Sequence, residues 1–236
     1  FQDPYASLNP RQRVADIIME PLLFHGIAKT KEEARERCMS ILARVGLRPE
    51  QAGRYPHQFS GGQRQRIGIA RALAVNPEFI IADEPVSALD VSIQAQVINL
   101  LMDIKKEMDL TILFIAHNLA VVKYFSDRIG VMYFGNMVEL ADADELYDHP
   151  VHPYTKALLN SVPRLDRDGK EMLCTIEGNI PDMTNPPKGC AFCERCPHAM
   201  NICAQYMPEE KTVSSSHRAS CWMMDERAAK GGVAHA

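Results

Sequence analysis

Two short stretches hold residues whose types and order suit phosphate chemistry. Phe59-Ser60-Gly61-Gly62-Gln63 sets a hydroxyl and two glycines at the start of a helix-forming run. Backbone N–H groups and the positive end of the helix dipole converge at such a point, which suits an anion such as a phosphate. Ile80-Ile81-Ala82-Asp83-Glu84-Pro85 is an apolar strand that ends in two carboxylates. A strand end of that kind can hold Mg²⁺ and place a base beside it. His117 follows a second apolar strand, in Ile115-Ala116-His117-Asn118. An imidazole there can hydrogen-bond a phosphate and the water that attacks it.

The elements that must position these groups follow from periodicity. Val14, Ile17, Ile18, Leu22 and Leu23 repeat at helical spacing. Thr30 with Glu33 predicts a capping box, followed by a helix with Ala34, Cys38, Ile41, Leu42 and Val45 on one face and Gly46 as its stop. Helices are predicted over 63–75, 91–108 and 118–126. Residues 79–82 and 111–115 are continuous apolar runs, as expected of parallel strands covered on both faces. Strand, crossover helix and strand make a βαβ unit. Residues 129–134 and 137–140 flank Gly135-Asn136, which reads as a hairpin turn at a sheet edge. One short helix is expected over 154–162, and disorder over 225–236.

Composition excludes several classes. The chain has 236 residues, 46% hydrophobic and 24% charged, with a net charge of −4. No basic stripe stands ready to neutralise nucleic-acid phosphates. No uncharged run approaches the ~18 residues that a membrane-spanning helix needs. Five of the seven cysteines crowd into 190–221, a clustering more typical of metal ligands than of disulfides. Cys38 and Cys174 stand apart from them. The histidines other than His117 (His25, His57, His149, His152, His198, His217, His235) belong to no constellation that the sequence reveals.

The phosphate cradle followed by the carboxylate strand resembles the signature motif and Walker B of the ATP-binding-cassette (ABC) ATPases. The fold implied is α/β, a P-loop NTPase of the ABC type with a partial parallel sheet and a helical subdomain, plus a small Cys-rich C-terminal extension. Residues 1–58 would hold the Q-loop and helical subdomain, 59–148 the ATPase core and 149–236 the extension. The resemblance makes Asp83 a Mg²⁺ ligand, Glu84 the general base and His117 the switch histidine. Gln2, in the opening Phe1-Gln2, would contact Mg²⁺ or the water from the Q-loop. Ser60, Gly61, Gly62 and Gln63 would reach ATP held by a second subunit. Ser87-Ala88-Leu89-Asp90 matches the D-loop, in which Ser87 and Asp90 would touch that subunit. Asp90 also suits the cap of the helix from Val91. No G-x-x-x-x-G-K-[ST] loop occurs, so the P-loop is expected upstream of Phe1 in a first third that this chain lacks.

Cys190, Cys193, Cys196 and Cys203 lie within 14 residues, with Cys221 further on. C-x-x-C-x-x-C followed by Pro197 suits either an iron–sulfur cluster or a structural zinc. With His149-Pro150-x-x-Pro153-Tyr154-Thr155, this tail resembles the C-terminal extension of the oligopeptide, dipeptide and nickel branch of ABC importers. There, four cysteines matching Cys190, Cys196, Cys203 and Cys221 would hold a four-iron, four-sulfur cluster or Zn²⁺, with Cys193 as an extra thiol. The resemblance implies an ATPase that powers peptide import from the cytoplasmic face of the membrane. Its partners would be a second ATPase subunit, identical or not, two membrane permeases and, indirectly, an extracytoplasmic binding protein, with no nucleic acid. A competing reading is a metal- or redox-sensing regulatory module with a degenerate ATPase half.

Overall fold

A computed structural model describes residues 4–161 and 176–225. Gln2, Cys174 and the segment expected to be disordered beyond Asp225 lie outside the described residues. The chain divides into two compact units, 1–118 and 119–236. Among the described residues no helix is long and apolar enough to cross a membrane.

The first unit starts with α1 (Pro4–Ser7) and α2 (Val14–Phe24). α2 buries Val14, Ile17, Ile18 and Leu22, the stripe that helical spacing sets on one side. α3 (Lys31–Arg44) begins where the Thr30 hydroxyl accepts the Glu33 N–H at 3.1 Å. Glu33 reaches back one residue further than a capping box requires, accepting the Lys29 N–H at 2.8 Å. Gly46 ends the helix at φ +71°, and an added Cβ would lie 2.6 Å from the Arg66 guanidinium. Arg66 itself donates to the Val45 carbonyl at 2.9 Å, which ties α3 to α4 (Gly61–Leu73). A second arginine of α4, Arg71, donates to the Ser7 carbonyl at 2.7 Å and so holds α1.

β1 (Phe79–Asp83), α5 (Val91–Met108) and β2 (Thr111–Ile115) form the expected βαβ unit. The two strands pair in parallel, with Phe79 opposite Thr111 and Asp83 opposite Ile115. Among the described residues the two faces of this pair differ. Paired residues share a face, so Phe79, Ile81, Leu113 and Ile115 fall on one side, where they are 44–59% exposed. Ile80, Ala82, Ile112 and Phe114, on the other side, are buried or half-buried. An apolar run shows that a strand is suited to burial; which faces are buried depends on its neighbours.

The second unit contains α6 (Leu119–Phe125), the hairpin β3 (Arg128–Tyr133) and β4 (Asn136–Asp142), α7 (Ala143–Asp148) and α8 (Pro153–Asn160). After α9 (Asn201–Gln205) come two short strands, β5 (Lys211–Thr212) and β6 (Arg218–Ala219). The sheet order β3-β4-β6-β5 brings residues of the extension into the same sheet as the hairpin. The turn falls one residue earlier than predicted. Phe134 and Gly135 take φ +49° and +78°, the conformation of a type I′ hairpin turn. Asn136 already belongs to β4, and its side-chain amide donates to the Phe134 carbonyl at 3.0 Å.

β4 also carries a buried ionic network that the sequence did not disclose. Val131 pairs with Glu139 and Met132 with Met137, which leaves Val138 as an extra residue in the ladder. A bulge of this kind re-aims side chains. Val138 and Glu139 are both buried as a result. The Glu139 carboxylate accepts the Val151 N–H at 2.6 Å and the His152 N–H at 3.0 Å, and contacts His217 Nε2 at 2.7 Å. Nδ1 of the same imidazole lies 3.4 Å from Glu145. Glu145 accepts the hydroxyls of Ser214 and Ser216 at 2.7 and 2.6 Å, which hold its carboxyl below the usual range. The two carboxylates thus anchor the Ser214–His217 turn to β4, α7 and the start of α8.

Removing one partner from a buried pair strands the other, so His217→Ala should cost about 3–5 kcal/mol in chemical denaturation. Arg218→Ala removes only the exposed pair with Glu210 and should cost about 0–1 kcal/mol. Equal losses would show that the buried network contributes no more than a surface pair. A pH effect follows from His152. Burial pushes its imidazole down from 6.5 to about 4, opposed by Glu139, and its Nδ1 caps α8 by accepting the Tyr154 N–H at 3.1 Å. Between those two values the unfolded chain binds a proton that the folded chain refuses, so this residue makes stability fall as pH is lowered through that window. Thermal melts of wild type and His152→Asn at pH ~7.5 and ~5 should show a smaller acid loss in the variant. Identical losses would mean that other groups account for the whole effect.

Candidate functional site

The register of β1 and β2 sets the geometry of the first site. Asp83 ends β1 opposite Ile115, so the residues that follow the two strands emerge side by side. Glu84 donates its N–H to the Ile115 carbonyl at 2.9 Å. Its Oε1 lies 3.5 Å from Nδ1 of His117, two residues past β2. Glu84 takes φ +45°, a left-handed conformation that costs a residue other than glycine about 1–3 kcal/mol. Both side chains reach solvent, the histidine more than the glutamate. Asp83 lines an open cavity of about 1250 Å³ together with Asn9, Gln12, Glu20 and Arg71. A carboxylate pair and an imidazole at adjoining strand ends can polarise a water and hold a phosphate-bound cation.

The glycine-rich turn lies against the segment that follows β1. Ser60 accepts the Gln63 N–H at 3.4 Å while the Gln63 amide oxygen accepts the Ser60 N–H at 3.1 Å, a complete capping box. Gly61 and Gly62 form the first turn, whose N–H groups have no partner within the helix. A Cβ on Gly61 would touch Leu89 at 3.4 Å, and one on Gly62 would meet Ile93 at 2.3 Å. The glycines therefore serve close packing as well as the approach of an anion. Asp90 caps α5 by accepting the Ile93 N–H at 3.0 Å and the Ser92 hydroxyl at 2.9 Å, bonds that lower its pKa. Ser87 folds back onto Glu84, with its hydroxyl 3.1 Å and its N–H 3.3 Å from the Glu84 carbonyl. No feature of the sequence signals that contact.

The clustered cysteines lie in the second unit, Cys38 is buried in α3 of the first, and no disulfide joins those described. The Cys190 N–H donates to the Cys203 carbonyl at 2.7 Å. This crossing is so close that a Cβ on Gly189 would lie 2.2 Å from the same oxygen. Burial raises the thiols of Cys190, Cys193 and Cys221 and pushes Cys196 up to about 11, with the neighbouring cysteines adding to the effect. Among the described residues no three His, Cys, Asp or Glu side chains are placed to hold a metal ion. The ligand set implied by the family resemblance is therefore not assembled into a cage among the described residues. Glu139, Glu145, His152 and His217 form the polar constellation that the sequence reading missed. Its one signal was a glutamate between Val138 and Leu140 in an otherwise apolar stretch.

Two family models match the chain. One described as ABC transporter covers residues 1–87, and one described as the C-terminal region of oligopeptide/dipeptide transporters covers 138–203. The chain is 58% identical over 223 residues to the oligopeptide transport ATP-binding protein AppF of Bacillus subtilis, covering 94% of this chain and 68% of that protein. It is 70% identical over 168 residues to OppF of the same organism, covering 71% of this chain and 55% of OppF. A peptide import ATP-binding protein assigned in Brucella ovis is 52% identical over 221 residues, covering 94% of this chain and 69% of that one. Among solved structures, cbiO1 of Clostridium perfringens, part of the cbiONQ transporter, aligns with TM-score 0.57 and 27% identity over 63% of this chain and 58% of that one. The dimeric cassette MJ0796, in a post-hydrolysis state with ADP and Pi, aligns with TM-score 0.54 and 33% identity over 61% of each chain. The match to both family models and the extent of the alignment to AppF place this chain in the ABC transporter family, among the ATPases of its oligopeptide-transport branch.

Proposed function

We propose that this chain powers the import of peptides by hydrolysing ATP at a site built around Glu84 and His117. The observation that carries the reading is their approach to 3.5 Å at the ends of two register-paired strands. Water attacks the γ-phosphorus, the bond to the β–γ bridging oxygen breaks, and ADP leaves with the electron pair. Glu84 orients the water and takes its proton, while His117 hydrogen-bonds the γ-phosphate. The donor set suits Mg²⁺, a hard cation that prefers carboxylate and water oxygens, and Asp83 would be its protein ligand. The ion would neutralise charge on the phosphate oxygens. Ser60, Gly61, Gly62 and Gln63 would contact the γ-phosphate held by a second subunit. Gln2 would reach the metal or the water. The relatives' names support peptides as cargo, and the dimeric state of MJ0796 supports pairing with another ATPase subunit. Two permeases would anchor the pair at the cytoplasmic face of the membrane and receive its motion through the helices between residues 3 and 58. An extracytoplasmic binding protein would choose the cargo.

The cysteine tail supports a second, separate assignment. Cys190, Cys196, Cys203 and Cys221 would hold a four-iron, four-sulfur cluster or Zn²⁺, with Cys193 as a fifth thiol. Four thiols are a suitable donor set by type, and binding would have to draw them together and displace their protons, since among the described residues no three are placed to hold an ion. Such a group would brace the tail.

In the full-length chain assembled with its permeases, Glu84→Gln should lower ATP turnover about 10²–10⁴-fold while ATP stays bound, read by turnover and by nucleotide retention. Wild-type turnover in that variant would remove Glu84 from the mechanism. Protein purified without oxygen should carry iron with acid-labile sulfide, or zinc, and lose it on Cys196→Ser. Metal-free protein with unchanged resistance to chelators would rule out the cysteine assignment.

A further inference from the structure

We infer that Ser87 is a positioning residue for Glu84 within its own subunit, a role distinct from any contact with a second subunit. The inference rests on the reading of Glu84 given above. Glu84 is the last point at which β1 and the turn after it can still diverge, and its left-handed φ of +45° sets the direction of its side chain. Two sets of hydrogen bonds hold that conformation. On the donor side, the Glu84 N–H is bound by Ile115 at 2.9 Å, which fixes the residue to the strand that delivers His117. On the acceptor side, the Glu84 carbonyl receives the Ser87 N–H at 3.3 Å and the Ser87 hydroxyl at 3.1 Å.

Four of the groups involved belong to the backbone, and the Ser87 hydroxyl is the one side chain among them. Its bond can therefore be deleted while the turn keeps its chain path. Ser87 is exposed, so losing the hydroxyl opens no cavity in the core. The next residues are held independently, Leu89 beneath Gly61 and Asp90 at the cap of α5. The expected consequence of deletion is local. The Glu84 peptide gains freedom to rotate, and the carboxylate loses its fixed orientation toward His117. On this assignment the Ser87 hydroxyl acts on the Glu84 peptide, so affinity for ATP should not change.

The test is ATP turnover against ATP concentration for Ser87→Ala and Ser87→Thr, each in the full-length chain assembled with its permeases and each repeated with Glu84→Gln. Ser87→Ala should lower kcat about 10- to 100-fold, the scale on which a misplacement of about 1 Å acts, with KM unchanged. Threonine keeps the hydroxyl and should restore the rate. With Glu84→Gln in place, Ser87→Ala should lower the residual rate no further. A raised KM with unchanged kcat, or an undiminished Ser87→Ala effect beside Glu84→Gln, would overturn the inference and move the role of Ser87 to another partner. If Glu84→Gln itself turns over like wild type, the reading of Glu84 fails and the inference falls with it. If Glu84→Gln is impaired while Ser87→Ala is fully active, the inference alone fails.

Discussion

The parallel register between β1 and β2 is the constraint on which the proposed chemistry depends. Glu84 and His117 are 33 positions apart in the chain, on opposite sides of an 18-residue helix. Only the pairing of Asp83 with Ile115 makes their side chains neighbours. A slip of one residue would move the imidazole away by about 3.3 Å and turn every strand side chain to the other face. The ladder extends one residue past β1, through the Glu84 N–H and the Ile115 carbonyl, so it ends on the carboxylate-bearing residue itself. Strain at Glu84 is tolerated because this bond on one side and Ser87 on the other over-determine its conformation.

Motifs whose function depends on neighbours in sequence were legible. Ser60 with Gln63, Thr30 with Glu33 and Asp90 with Ile93 are caps that close within three residues, and each can be read from residue type alone. The extents of α5 and β2 were predicted to the residue, since amphipathic spacing and a short apolar run fix them locally. What failed was long-range. Which residues of β1 and β2 share a face with Ile80 and Phe114 follows from their pairing, which an apolar run does not disclose. The contact between Glu139 and His217 spans 78 positions, depends on a bulge at Val138, and leaves almost no trace in either local sequence.

That buried network changes how the second unit should be understood. The extension invites attention for its cysteines, yet it is attached to the hairpin by the β4–β6 pairing and by a buried polar network. Glu139 is satisfied by two backbone N–H groups and an imidazole, which is what a fully buried carboxylate requires. The network also links the turn before β6 to the start of α8, so the tail and the His-Pro segment are held by one side chain. The thiols lie beside this network, since the Glu139 charge helps to raise the Cys221 thiol, and Gly189 lets two chain segments cross almost in contact.

The same economy shapes the first unit, and it limits how substitutions in the glycine turn can be interpreted. An alanine at Gly62 would obstruct an approaching phosphate, but it would also press into Ile93 at 2.3 Å and tilt α4 against α5. Gly61, in contact range of Leu89, is tighter against its neighbour than an open loop would be. Loss of function on changing either glycine would thus not by itself show that the turn touches nucleotide. Gln63 is similarly compromised, because its amide closes the capping box with Ser60. Leu89 and Ile93 offer the cleaner handle, since they touch the glycines from below and face no ligand in this scheme. Shortening them would loosen the turn without altering the surface that it presents. A phosphate role for the turn is then best judged by whether activity follows the exposed N–H groups or the packing beneath them.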